Sequence, residues 1–244
     1  MIRAIFFDLD GTLLPFDEGE FTKMYFSLMC RRMAAFGYEP ERLAKTIWDG
    51  TRLMYKNDGA KTNCQVFWDN FFSVYGEGAR DSVKDFDEFY TNEFLQTRSI
   101  CGENPEARKI IDFCRQRVEY TVLSTNPIFP LVGTHSRMSF VGLTPSDFDM
   151  VTAYENSCHS KPNPEYFGDI LKKLSLSPEE VILFGNNDYE DGECALGAGI
   201  RCYLVGDHII RTGKATHDFP VIRMDEVIPT ILRELEGEEF FNKI

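Results

Sequence analysis

The chain has 244 residues, 43% of them hydrophobic and 27% charged, which is ordinary for a globular protein and enough for a sizeable buried core. A formal net charge of -13 at pH 7 argues against a nucleic-acid partner, because a phosphate backbone demands a basic stripe. It still permits a small phosphorylated ligand in a local positive pocket.

Ile2–Leu9 is short, apolar and rich in β-formers, and reads as a buried first strand. The next such strand is Val118–Ser124. Between them, residues 20–36 place Phe21, Met24, Tyr25, Leu28, Met29, Met33 and Phe36 at helical spacing, with Gly37 as the stop. A second helix is expected over Pro40–Tyr55. A third starts at the cap candidate Thr62, and a fourth at Ser82 with Asp85 close to a capping box. Residues 16–99 therefore read as an all-helical insert. Beyond it the pattern alternates: a helix from Asn104-Pro105, strand 118–124, a helix near 129–138 and strand 149–154. A helix after Pro164, strand 181–184, a helix at 190–198, strand 200–205, a last strand near 219–222 and a helix at 226–236 complete it. The tail ELEGEEFFNKI reads as a frayed helix end. Strand–helix alternation implies an α/β fold with a doubly wound, Rossmann-like parallel sheet, formed by 1–15 and 100–244.

The start MIRAIFFDLDG does not read as a signal peptide, since its apolar run is only Ala4–Phe7. No stretch approaches the ~20 apolar residues of a membrane span. Seven scattered cysteines without a CxxC pair read as reduced thiols, not as disulfides or a zinc site. The expected setting is the cytoplasm, with no membrane partner, and the chain is expected as a monomer or homodimer.

Four strand ends carry polar residues that switch-point geometry brings to one crevice. The first ends in Asp8-Leu9-Asp10-Gly11-Thr12. Two acids two apart on a strand point the same way, and their repulsion calls for a cation. Asp-Gly-Thr alone serves equally well as a tight turn. The second strand ends in Leu123-Ser124-Thr125-Asn126-Pro127, where a hydroxyl and an amide suit oxygen ligands or simply a turn into a helix. Lys161 follows the third strand, just before a helix start, where it favours an anion or is merely solvated. The fourth strand runs into Gly185-Asn186-Asn187-Asp188, with Glu190 and Asp191 beyond, a set of oxygen donors of the kind Mg²⁺ prefers.

These four motifs in order, FFDLDGT (6–12), VLSTN (122–126), KPNP (161–164) and LFGNNDYED (183–191), resemble the haloacid dehalogenase superfamily over nearly the whole chain. The helical insert after the first motif matches members with the first type of cap. The resemblance implies that Asp8 is a nucleophile forming an aspartyl-phosphate, and that Asp10 is the general acid and then base. It implies that Thr125 and Asn126 bind phosphoryl oxygens and that Lys161 neutralises Asp8 and the transferring group. Mg²⁺ is then expected on Asp8, Asp10 and the fourth motif, through Asn186, Asn187 and Asp191. Most relatives carry Asp directly after the glycine of that motif. An amide here predicts weaker metal affinity, and Asp188 is a spare acid that a shift of the loop could bring in.

Asp10 also points to phosphate monoesters, because members that break carbon–halogen bonds lack the second Asp. The expected activity is a Mg²⁺-dependent phosphatase for a small phosphorylated metabolite. A sugar phosphomutase or a non-enzymatic phosphate-binding protein on the same fold are the alternatives. The cap is expected to choose the substrate. Its loop at 55–63 offers Lys56, Asn57 and Lys61 as contacts, although a solvated turn reads as well. Phe67, Trp68, Phe71 and Phe72 read as cap core. His135, His159, His208 and His217 form no metal-spaced set, and Glu155 and Asn156 have no evident role.

Overall fold

The computed structural model describes the backbone of residues 1–241 and the side chains through residue 237. Its centre is a six-stranded parallel sheet of β1 (Ala4–Phe7), β2 (Tyr120–Leu123), β3 (Met150–Val151), β4 (Val181–Gly185), β5 (Arg201–Val205) and β6 (Val221–Ile222), in the spatial order β3-β2-β1-β4-β5-β6. The order reverses at β1. The carboxyl ends of β1, β2 and β4 therefore border the crevice where open α/β sheets bind ligands.

Both faces of the sheet are covered, as the unbroken apolar runs of β1 and β4 require. Side chains alternate between two cores: Ile5, Phe7, Ile182 and Phe184 on one face, and Ala4, Phe6, Val181 and Leu183 on the other. On the first face lie α5 (Pro105–Arg115), α9 (Val227–Phe241) and the apolar helices of the insert. On the second lie α7 (Glu165–Leu174) and the short α8 (Cys194–Gly197).

The insert holds α1 (Glu18–Ala34), α2 (Pro40–Tyr55), α3 (Asn63–Tyr75) and α4 (Val83–Thr91), with 3-10 turns at Glu77–Ser82 and Glu93–Ile100. Thr62 closes α3 through a capping box with Gln65, as its spacing predicts. Ser82 makes no such cap. The preceding 3-10 turn runs straight into α4, so the first helical N–H groups already have carbonyl partners. α6 (Leu131–Phe140) follows β2, and Glu155, which had no evident role, accepts the Leu131 N–H at 2.9 Å at the start of that helix.

The strands at 149–154 and 219–222 shrink to two residues each because both lie at sheet edges, with one neighbour apiece. The helix expected at 190–198 opens as a π-turn, Asp188–Glu193, before α8. The frayed tail falls partly outside the described residues: α9 runs to Phe241, and 242–244 are not described. Among the described residues no helix is long and apolar enough to cross a membrane.

Candidate active site

Asp8 is the first residue past β1, and its N–H continues the ladder to Phe184 O at 2.9 Å. A tight turn closed by Leu14 N–H to Leu9 O then folds Asp10 back to the same crevice. Asp8 and Asp10 share the crevice because of this turn, not because a strand continues through both. Gly11 allows the first and fourth motifs to approach, and Gly185 allows the fourth to fold back on itself. Gly11 has φ +77, and a β-carbon there would sit 2.0 Å from Asn186 Nδ2. A β-carbon on Gly185 would meet Asp191 Cγ at 2.4 Å.

Lys161 is the hub. It is 1% exposed, and its Nζ donates to Asp8 Oδ1 at 2.9 Å and to Asp191 Oδ1 at 2.5 Å. Burial pulls the ammonium's pKa down, but Asp191 and Asp8 outweigh it, so Lys161 stays charged. Burial pushes Asp8 up, opposed by Lys161 and reinforced by Asp191 and Asp10. Asp191 Oδ2 accepts the N–H groups of Asn186 and Asn187 at 2.9 and 3.0 Å, which fixes the loop after β4.

The second motif is held from behind: Thr152 and Tyr166 hydroxyls both donate to Thr125 O, at 2.7 and 2.9 Å. That leaves Thr125 Oγ1 buried without a partner, and Asn126 Oδ1 likewise. Asn126 Nδ2 donates to Glu190 Oε2 at 2.7 Å, and Tyr55 at the end of α2 donates to Glu190 Oε1 at 3.2 Å. Burial pushes Glu190 up to about 7, against the hydrogen bond from Asn126. Insert, second motif and fourth motif thus meet at one carboxyl group. Asn63 at the start of α3 fastens the insert further. Fully buried, it donates to Pro127 O at 3.0 Å and Ser160 Oγ at 2.9 Å.

Within the fourth motif the donors divide their work. Asn187 Oδ1 accepts from Tyr189 and Glu190 N–H, both at 3.0 Å, and so caps the π-turn. Asp188 accepts from Thr212 N–H at 3.0 Å and Thr212 Oγ1 at 2.7 Å, which turns it toward the loop before β6. Asn186 Nδ2 donates to His208 O at 2.8 Å, and its Oδ1 makes no hydrogen bond with the described residues. Of the insert residues anticipated as contacts, Lys56 is exposed, Lys61 pairs with Asp69 at 2.7 Å, and buried Asn57 donates to Lys61 O and Asn63 Oδ1. The insert instead lines the crevice, a cavity of ≈ 200 Å³, with Glu18, Thr22, Trp48, Thr51 and Tyr55.

Sequence reasoning missed Arg137. It is fully buried on α6, ion-paired with Asp10 Oδ2, and its guanidinium lies 4.3 Å from the Phe129 ring centroid. Burial raises Asp10, and Arg137 is the main opposing charge. A signal existed: Gly133, Thr134, Arg137 and Met138 share the buried face of α6, and an arginine in that phase demands an acid partner.

The description of haloacid dehalogenase-like hydrolases matches residues 2–199. A phosphorylated carbohydrates phosphatase of Thermotoga maritima is 25% identical over 161 residues, covering 64% of this chain and 72% of the relative. A phosphoglycolate phosphatase of Aquifex aeolicus is 21% identical over 227 residues, covering 93% and 95%. The solved 2-haloacid dehalogenase of Pseudomonas syringae superposes with a TM-score of 0.64 at 18% identity, covering 96% of this chain and 99% of that one. The chain belongs to the haloacid dehalogenase-like hydrolases and is an enzyme of that family.

Proposed function

We propose that this enzyme is a Mg²⁺-dependent phosphatase that hydrolyses a small phosphate monoester through an aspartyl-phosphate on Asp8. The observation that carries the reading is Lys161 Nζ against both Asp8 and Asp191, with Asp10 on the same crevice. An Asp8 carboxylate oxygen attacks phosphorus and the bond to the leaving alcohol breaks. Asp10 gives that oxygen its proton. A water, deprotonated by Asp10, then attacks the aspartyl-phosphate and releases inorganic phosphate. Arg137 holds the Asp10 carboxyl toward the crevice. Lys161 offsets the negative charge of Asp8 and of the phosphoryl oxygens. Thr125 Oγ1, buried and unpaired, is a donor free to receive one of those oxygens.

The residues present fit Mg²⁺. Asp8, Asp10 and Asp191 outnumber Lys161 and Arg137 in the crevice, Asp10 Oδ1 is buried without a partner, and every nearby donor is a hard oxygen. Among the described residues no three His, Cys, Asp or Glu side chains form a ready ligand set. Asp8, the Asp10 carbonyl and Asn186 Oδ1 would hold the ion, with Asp191 beside them. Asn187 would act from behind, since its oxygen caps the π-turn. Bound Mg²⁺ supplies charge neutralisation for the transferring phosphoryl group. The seven free thiols suit a reducing cytoplasm.

The test is release of inorganic phosphate from a panel of phosphate monoesters with Mg²⁺, using Asp8→Asn as the blank. Turnover in Asp8→Asn equal to that of the unaltered chain refutes the nucleophile. Product phosphorylation through a bisphosphate, without phosphate release, identifies a phosphomutase instead.

A further inference from the structure

The crevice does not end at the catalytic residues. Phe21, Thr22, Trp48, Thr51, Ile128 and Phe129 line it and also line a second cavity of ≈ 120 Å³ that runs into the insert. The walls of that chamber are largely aromatic, with Tyr25, Phe67, Trp68 and Tyr154 added to the shared rings. Most of its hydrogen-bonding side chains already have partners within the protein. Tyr25 OH pairs with Tyr90 OH at 3.0 Å, Trp68 Nε1 donates to Tyr154 OH at 3.2 Å, and Thr51 Oγ1 donates to Ile47 O at 2.9 Å. Asp87 is the single charged residue lining it, and it is exposed.

We infer that the substrate is a phosphate monoester whose alcohol carries an apolar, most simply aromatic, body without a second anionic group, and that this body occupies the chamber. The inference rests on the phosphatase reading above and names its substrate class. A polyol seated there would lose water and find few free partners, whereas a ring would gain burial against other rings. Cations argue the same way. The two that line the crevice are committed, Lys161 to Asp8 and Asp191 and Arg137 to Asp10, and none lines the chamber. A second phosphate or a carboxylate would instead meet Glu18 and Glu190. Phe67 and Trp68, expected as insert core, serve as both core and wall.

The experiment compares three probes on the full chain with Mg²⁺: methyl phosphate, ribose 5-phosphate and 2-phenylethyl phosphate. Methyl phosphate is too short to reach the chamber and reports the hydrolysis of a monoester alone. The expected result is a kcat/KM for 2-phenylethyl phosphate at least about tenfold above that for ribose 5-phosphate. Phe67→Ala, on a residue that lines only the chamber, is expected to cut that ratio at least about fivefold. Turnover of methyl phosphate with no preference for the aromatic ester overturns the inference and leaves the phosphatase reading standing. No turnover of any probe overturns both. A preference that Phe67→Ala leaves unchanged overturns the chamber as its source. The first comparison needs no variant, so it stands even if Phe67→Ala fails to fold.

Discussion

Arg137→Met tests whether the buried arginine positions Asp10. Arg137 is fully buried, while the Asp10 side chain retains 24% exposure. Breaking a buried ion pair by removing one partner costs roughly 3–5 kcal/mol, and partial access of water to Asp10 places this pair at about 2–3 kcal/mol. For a chain of this length that lowers the melting midpoint by about 5–10 °C. Methionine fills most of the volume beside Phe129, so the lost charge dominates over a cavity. The double variant Asp10→Asn/Arg137→Met removes the stranded carboxylate and should recover at least about 1.5 kcal/mol relative to the sum of the single changes. Phosphatase turnover in Arg137→Met should fall about 10–100-fold, because an acid that is loosely held delivers its proton poorly. The assays are a denaturation series on the four proteins and phosphate release at saturating substrate. Single effects that add within about 0.5 kcal/mol would show that the two side chains are neighbours without a working pair.

Three other outcomes follow from the same geometry. In Mg²⁺ titrations of activity, Asn186→Asp should tighten the apparent affinity several-fold and Asn187→Asp should not, because of the two it is Asn186 whose amide oxygen accepts no hydrogen bond from the described residues; the reverse order would move the metal to Asn187. Gly11→Ala should destabilise the fold by about 1–2 kcal/mol or more through its positive φ, and weaken Mg²⁺ dependence by displacing Asn186; unchanged metal response would detach Gly11 from that role. Asp147 is held down at about 2, chiefly by Arg108 and also by the Thr144 N–H. A depressed carboxyl stabilises above its unfolded pKa, so Asp147→Asn should cost about 1–2 kcal/mol at pH 7, discounted for the partly exposed Arg108. The gap should close as pH falls from about 4 toward 2, and a gap independent of pH would rule out the ionised pair as its cause.

The sequence by itself determined the sheet, the helical nature of the insert and the four motifs. Those depend on local signals: apolar runs in β1, β2, β4 and β5, helical spacing from Phe21 to Met33, and caps at Thr62 and Asn104. Strand order then brings Asp8, Thr125, Lys161 and Asp191 to one crevice, because parallel strands that alternate with helices leave their carboxyl ends on one side. Tertiary structure decided which donor of a motif faces inward. Asn186, Asn187 and Asp188 are equivalent oxygen sources as letters, and only partners far along the chain distinguish them: His208 for Asn186 and Thr212 for Asp188. The same holds for Arg137, whose acid lies 127 positions earlier, and for the insert. Lys61 is spent on Asp69 within α3, whereas Trp48, Thr51 and Tyr55 on α2 reach the crevice. Local spacing specifies the elements; the direction of a polar side chain is set by whichever buried partner the packed fold brings within hydrogen-bond reach.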